Sequence, residues 1–137
     1  MYQPSMQCRT KFQVVRGILA DQPVLVHCTV GKDRTGVTVA VTLAAAGVDL
    51  DAVVADYART EGLLPEWRNQ RIVEKLRELH PEARHLEDLA TRSPAPVMAG
   101  LLDDLTARYG SPSGYLLAHG MTDAELAALR DVLVAVA

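Results

Sequence analysis

The sequence predicts an α/β fold built around a parallel sheet, with a mostly helical C-terminal region and with the sheet incomplete in this chain. Three observations support this prediction. A short apolar segment, Val24–Val26, leads through a cysteine-to-arginine loop, Cys28–Arg34, into an apolar helix. The other apolar residues recur mainly with helical spacing. No second segment firmly indicates a strand, and a lone strand leaves its backbone N–H and C=O groups unpaired.

The composition bounds the class of protein. The 137 residues fit one domain, residues 1–137, and the net charge of −3 gives no basic excess for binding nucleic acid. Two cysteines do not make a disulfide framework, so we expect a reducing, cytoplasmic location. Arg9, Lys11 and Arg16 interrupt the N-terminal segment, which therefore does not resemble a signal peptide. The apolar stretch Val37–Val48 is too short to span a membrane.

The segment before the loop predicts a helix followed by a strand. One helical face carries Cys8, Phe12, Val15 and Leu19. Their spacing is that of an amphipathic helix. Val24–Val26 is then expected to be a buried strand that delivers the loop to its carboxyl end, where ligands of open α/β sheets bind.

Three helices are predicted directly after the loop. The first runs from about Thr35 to about Ala46, with Gly47 as the residue that ends it. It is apolar almost all round, which is typical of a buried helix. Asp49 is a suitable N-cap for the second helix, which extends through Arg59, and the third occupies Pro65–Leu79.

The remainder of the chain predicts two more helices. Residues 80–96 form a polar connection with a short helical piece around Leu86. A helix follows at Val97–Tyr109, and the glycine-, serine- and proline-rich residues 110–114 indicate a turn. Thr122–Glu125 has the pattern of a capping box that begins the last helix.

The loop between Cys28 and Arg34 has the composition of a phosphate-binding cradle. Its backbone N–H groups can curl inward and, with the N-terminus of the following helix, form an anion site. Gly31 permits the backbone angles that such a loop needs, and Gly36 lets the helix pack closely. The expected phosphate-binding residues are Thr29, Val30, Gly31, Lys32, Asp33 and Arg34.

The same residues suggest nucleophilic catalysis. A helix N-terminus and Arg34 should lower the pKa of the Cys28 thiol below its usual value of ~8.5, so that a thiolate attacks phosphorus. The planar guanidinium of Arg34 matches two phosphate oxygens. Thr35 can donate its hydroxyl to the thiolate and make it a better leaving group. This chemistry needs neither a metal nor a cofactor.

A general acid is also required, and Asp33 is the better candidate. Asp21 precedes the strand, and an extended chain places it roughly 16–20 Å from the loop. His27 has two open interpretations, either tuning the loop and thiolate or being a buried strand-end histidine. Lys32 also has two, since it can add charge for polyanionic substrates or extend into solvent.

The segment His27–Gly36 resembles the HCxxGxxRTG signature of cysteine-dependent protein tyrosine phosphatases. Its Gly-Lys-Asp-Arg-Thr-Gly form is similar to the atypical bacterial and fungal branch, as are residues 54–57 and 109–130. The resemblance implies activity on phosphotyrosine and, in some members, on phosphoserine, phosphothreonine or phosphoinositides. It also implies an N-terminal part that supplies most strands. This chain resembles the C-terminal portion, and a partner chain that completes the sheet is one expectation.

The leading hypothesis is therefore a cysteine-dependent phosphomonoester hydrolase. A second hypothesis is a truncated, non-catalytic fragment that at most binds phosphorylated ligands, since the sheet is incomplete. A third, a sulfurtransferase with a cysteine loop, is disfavoured by Arg34 and by the threonine that follows it.

Overall fold

The structure is a computed structural model that describes residues 13–20 and 23–134. Every regular element within these ranges is a helix. The helices are α1 (13–19), α2 (Asp33–Ala45), α3 (Leu50–Leu63), α4 (Glu66–Leu79), α5 (Leu86–Thr91), α6 (Ala95–Tyr109), α7 (Pro112–Ala118) and α8 (Asp123–Leu133). None of the helices in these ranges is long and apolar enough to cross a membrane.

Local sequence signals define several helix ends as predicted. The N–H of Ala52 donates to Asp49 Oδ1 at 3.0 Å, which caps the start of α3. Thr122 and Glu125 form the reciprocal capping box that begins α8. Gly47 follows the end of α2 with φ of +91°, a conformation that glycine adopts without strain. These three predictions are confirmed.

Helix α2 lies at the centre of the packing, against α3, α7 and α8. One cluster of buried side chains joins it to α1, α7 and α8 and consists of Val15, Val41, Ala46, Leu116, Met121 and Leu129. A second cluster joins it to α3 and α6 and consists of Ala40, Val53, Tyr57, Met98 and Leu102. The prediction that this helix is buried is confirmed. Because α2 takes part in both clusters, its middle and its C-terminal end are firmly packed.

The structure describes only part of the apolar helical face predicted near the N-terminus. Val15 is fully buried, and Leu19 packs against the first cluster, as predicted for the apolar face of a helix. Cys8 and Phe12 lie outside the described residues, as does Asp21.

The buried strand predicted at Val24–Val26 is not formed. Residues 23–28 have no regular secondary structure, and the side chain of Leu25 is 85% exposed. A strand is stable only where a neighbouring strand pairs its N–H and C=O groups, and no other strand exists in the described ranges. No sheet in the described ranges therefore includes this apolar segment. The described part of the chain is helical and shows no parallel sheet.

Residues 110–114, predicted as a turn, include the start of a helix. Ser111 is the N-cap of α7, and its hydroxyl accepts the N–H of Gly114 at 2.9 Å. A serine N-cap followed by Pro112 at the first helical position is a helix-start signal as well as a turn signal. A Cβ at Gly114 would collide with the carbonyl oxygen of Tyr109, so this corner between α6 and α7 requires glycine.

Helices α4 and α5, residues Glu66–Thr91, form a hairpin whose main packing is between its own two helices. Its exposed apolar residues include Trp67, Leu79 and Leu89. The attachment of this α4–α5 hairpin to the rest of the molecule is partly polar, and its best-defined links lie close to the loop that follows Cys28.

Candidate active site

The loop Cys28–Arg34 closes on itself in front of α2. Gly31 has φ of +82°, in the left-handed region that favours glycine, which confirms the role predicted for it. Its N–H then donates to Cys28 Sγ at 3.2 Å. Across the loop, Arg34 Nη2 donates to Thr29 Oγ1 at 3.1 Å. The loop is therefore braced by its own polar groups.

The Cys28 thiol lies among hydrogen-bond donors. Burial raises its pKa, but the Thr35 hydroxyl and the backbone N–H groups of Thr35, Val30 and Gly31 outweigh this effect and lower the pKa from 9.0 to about 6. The sulfur is therefore mostly a thiolate at neutral pH. The sequence predicts such a lowering from Arg34 and the helix N-terminus. Since Thr35 belongs to the first turn of α2, the helix N-terminus contributes, and the remaining donors belong to the loop.

The Thr35 hydroxyl is buried beside the sulfur. Its Oγ1 is closed to solvent and makes no hydrogen bond of regular geometry, although it helps to lower the pKa of Cys28. A buried hydroxyl without a good partner costs free energy, and directing its proton at the thiolate reduces that cost. The role of Thr35 in stabilising a departing thiolate stays a prediction.

Asp33 and Lys32 form an ion pair, with Lys32 Nζ 3.0 Å from Asp33 Oδ1. The Asp33 side chain is 65% exposed, so an incoming ligand can reach it, whereas Lys32 is only 3% exposed. The ammonium of Lys32 also donates to the backbone carbonyls of Leu89 at 2.9 Å and Arg92 at 2.7 Å. Extension of Lys32 into solvent is thus excluded, and these contacts occupy the protons that a polyanion would need.

Tyr57 of α3 lies directly against the start of α2. A Cβ placed on Gly36 would be 2.8 Å from ring atoms Cδ2 and Cε2 of Tyr57, which confirms that Gly36 serves close packing. Burial and the nearby carboxylates of Asp33 and Glu61 raise the pKa of the Tyr57 phenol. The signal in the sequence is the spacing of Val53, Tyr57 and Glu61, which places them along one face of α3.

A cleft of about 110 Å³ follows the contact between α2 and α3 and reaches the loop at Gly31. Its polar lining includes Thr35 from α2 together with Asp56 and Thr60 from α3. Helix α3 therefore lines a cleft that reaches the loop, although the motif that identifies the loop lies wholly outside this helix.

The remaining candidate residues are more loosely placed. His27 is exposed, which excludes a buried strand-end histidine. Of His27 and Gly36, which flank the cysteine-to-arginine loop, only Gly36 has a defined close contact, with Tyr57. Within residues 13–20 and 23–134, no group of three or more His, Cys, Asp or Glu side chains is arranged to hold a metal ion.

Comparison with known proteins points to one family. Residues 2–135 match the model of the tyrosine phosphatase family. The chain is 38% identical over 136 residues to the triple specificity protein phosphatase PtpB of Mycobacterium tuberculosis (strain ATCC 25618 / H37Rv), covering 92% of this chain and 49% of PtpB. It is 32% identical over 123 residues to a tyrosine-protein phosphatase of Nostoc commune, covering 86% of this chain and 42% of that protein. The chain thus spans about half the length of these curated relatives, or less.

Proposed function

Since this chain belongs to the tyrosine phosphatase family, we propose that it hydrolyses phosphate monoesters through a cysteinyl-phosphate intermediate, with phosphotyrosine as the substrate class. The observation that carries the proposal is the environment of Cys28. Its thiol has a pKa of about 6 and lies in a loop that ends at an arginine and a helix N-terminus. The proposed nucleophile, anion site and proton donor thus all belong to the loop Cys28–Arg34.

The reaction proceeds in two steps. The Cys28 thiolate attacks phosphorus, the bond from phosphorus to the ester oxygen breaks, and Asp33, which enters this step in its protonated form, gives its proton to that oxygen. Arg34 exchanges its contact with Thr29 for two phosphate oxygens, while the loop N–H groups bind the charge that develops. Water then attacks phosphorus, Asp33 takes a proton from it, and the sulfur leaves as a thiolate that Thr35 stabilises.

The placement of Lys32 bears on the substrate. The name of PtpB assigns it three specificities, and the Nostoc commune relative is named for tyrosine alone. In this chain the Lys32 ammonium is committed to two carbonyls and one carboxylate. It is therefore not free to bind a second phosphate of a polyphosphorylated lipid. This favours phosphotyrosine over phosphoinositides.

The test is Cys28→Ser. The variant should lose turnover of a phosphotyrosine peptide while still binding vanadate or inorganic phosphate, because the hydroxyl is a far weaker nucleophile and the loop N–H groups remain. Turnover is measured by release of inorganic phosphate, and binding by calorimetry.

Cys8→Ser is the matched control, since it removes the other cysteine of the chain and should leave turnover unchanged. Undiminished hydrolysis by Cys28→Ser would exclude the cysteinyl-phosphate mechanism. Parallel assays with a phosphoserine peptide and with phosphoinositides test the preference for phosphotyrosine.

The exposure of Leu25 favours a second candidate function. This candidate is a non-catalytic unit that binds phosphorylated ligands and whose parallel sheet is completed by strands of a partner chain. A thermal melt of the isolated chain, monitored by circular dichroism, and a phosphate-binding measurement together distinguish this candidate from the enzyme. A cooperative transition with turnover supports the enzyme, whereas phosphate binding without turnover in the wild-type chain supports the second candidate.

A further inference from the structure

Lys32 is the most deeply buried charged residue that the structure describes. Its ammonium donates to Leu89 O at 2.9 Å and to Arg92 O at 2.7 Å, and it pairs with Asp33 Oδ1 at 3.0 Å. Because an ammonium has three protons, all of its donors are used. Burial of a charge is costly unless it is paired and hydrogen-bonded, and here this condition is met.

The two carbonyls belong to the C-terminal end of α5. The last carbonyls of a helix have no partner within the helix, and a cation near them is favourable. Helix α5 has no basic residue in its own last turn. Lys32 supplies that cation from 57 and 60 residues away in the sequence, and so caps α5 from the phosphate loop.

The segment after α5 is held from the opposite direction by α3. Glu61 Oε2 accepts the N–H of Ser93 at 2.8 Å and lies 3.9 Å from Arg92 Nε. Residues 92–93 are therefore fastened both to the loop and to α3. Since the α4–α5 hairpin packs mainly on itself, these polar contacts are a principal link between the hairpin and the site.

We propose that Lys32 is a positioning residue, which orients the Asp33 carboxylate and couples occupancy of the phosphate loop to the stability of α5. An anion bound by the loop N–H groups fixes the backbone at Lys32, and the ammonium carries this constraint to the carbonyls of Leu89 and Arg92. By linkage, a stable α5 also favours anion binding. The catalytic part of this inference rests on the proposed function, whereas the cap on α5 does not.

Hydrogen exchange measures the coupling directly. In the wild-type chain, vanadate should slow amide exchange in residues 86–93 by roughly 5-fold or more. In Lys32→Met, which keeps the length of the side chain and removes its donors, this protection should disappear, and exchange in α5 should already be faster without vanadate. Lys75→Met removes an exposed lysine of α4 and should leave the vanadate effect intact.

Kinetics test the orientation of Asp33. Lys32→Met should lower kcat for phenyl phosphate roughly 10-fold or more, with a smaller loss for p-nitrophenyl phosphate and with KM little changed. Asp33→Asn should reproduce this dependence on the leaving group but retain vanadate protection of α5, because its Lys32 still reaches both carbonyls. The two variants together separate the cap on α5 from the orientation of the acid.

The outcomes are distinct. If wild-type protein binds vanadate and α5 shows no protection, the coupling is wrong, even if Lys32→Met does not fold. Protection that persists in folded Lys32→Met overturns it as well. If wild-type protein neither binds vanadate nor hydrolyses phosphate esters, the proposed function fails. The cap on α5 is then judged by exchange without ligand, where equal rates in the wild type and Lys32→Met would overturn it.

Discussion

The edge of the Tyr57 ring lies against Gly36, so close that a Cβ there would be 2.8 Å from two ring carbons. This contact joins α3 to the first turn of α2, one residue after the threonine that faces the thiolate. The position of α3 therefore determines how far the start of α2 can move. Glycine at position 36 is therefore required by the packing of α3 on α2, and not only by the loop.

Gly36→Ala should therefore destabilise the fold and disturb the site. The added methyl group forces the buried ring or the helix to shift, at a cost of roughly 1–3 kcal/mol. Urea denaturation measures this cost, and alkylation of Cys28 reports on the loop.

Gly100→Ala is the matched control. Gly100 lies inside α6, and a Cβ there meets nothing within 4 Å. Because alanine is the better helix former, this variant should be more stable than the wild type by roughly 0.5–1 kcal/mol. A Gly36→Ala variant that gains as much stability as Gly100→Ala would contradict the close packing on Tyr57.

The reactivity of Cys28 should follow a pKa of about 6. The rate of alkylation by iodoacetamide should rise with pH to a midpoint near that value, measured by mass spectrometry on the peptide that contains Cys28. In denaturant the midpoint should return to the ordinary 9.0. A midpoint that is the same in folded and denatured protein would show that the loop does not stabilise the thiolate.

The same shift predicts how the free energy of unfolding depends on pH. The folded-state pKa of Cys28, about 6, lies below the ordinary value of 9.0. The thiolate therefore contributes stability that is fully present above about pH 9 and is lost as the pH falls through about 6. Cys28→Ser should therefore remove the pH dependence of the free energy of unfolding between these two pH values. Urea titrations of both proteins across that range measure the difference.

Thr35→Val should raise the pKa of Cys28, because it removes the strongest of the groups that lower it and leaves burial unopposed by that group. A hydrogen bond of good geometry to a charged group is worth about 1.5–3 kcal/mol, so an upward shift of about 1–2 pH units is the upper limit for this less regular contact. Thr42→Val removes another buried hydroxyl of α2, one bonded to the carbonyl of Thr38, and should leave the alkylation midpoint unchanged. Equal midpoints for Thr35→Val and the wild type would exclude the hydroxyl as a partner of the sulfur.

Local features of the structure could be predicted from the sequence. The left-handed Gly31, the cap at Asp49, the capping box at Thr122 and the burial of α2 each depend on residues within a few positions of one another. Short-range hydrogen bonds and helical periodicity are sufficient for them. The prediction of a turn at residues 110–114 misses the start of α7, because Ser111 and Pro112 are common both in turns and at helix starts.

Other features depend on distant parts of the chain and have no local signal. The apolar pattern of Val24–Val26 indicates a strand, but pairing decides whether one forms, and no neighbouring strand exists in the described ranges. The carbonyls that Lys32 contacts lie 57 and 60 residues away, and nothing in the motif identifies them. The contact of Tyr57 with Gly36 joins two different helices, and no local pattern predicts it.

The role of Asp33 as the acid predicts a loss of activity that depends on the leaving group. Asp33→Ala should reduce kcat for phenyl phosphate by roughly 10²–10⁴-fold, because phenoxide needs a proton as it departs, and should affect p-nitrophenyl phosphate far less. Asp51→Ala is the matched control, since Asp51 is the acidic residue in the first turn of α3, as Asp33 is in α2. Both substitutions remove a favourable charge from a helix N-terminus, worth roughly 0.3–1 kcal/mol of stability. Asp33→Ala also removes the ion-pair partner of Lys32. Only Asp33→Ala should change the ratio of the two rates, and an equal loss on both substrates would exclude Asp33 as the acid.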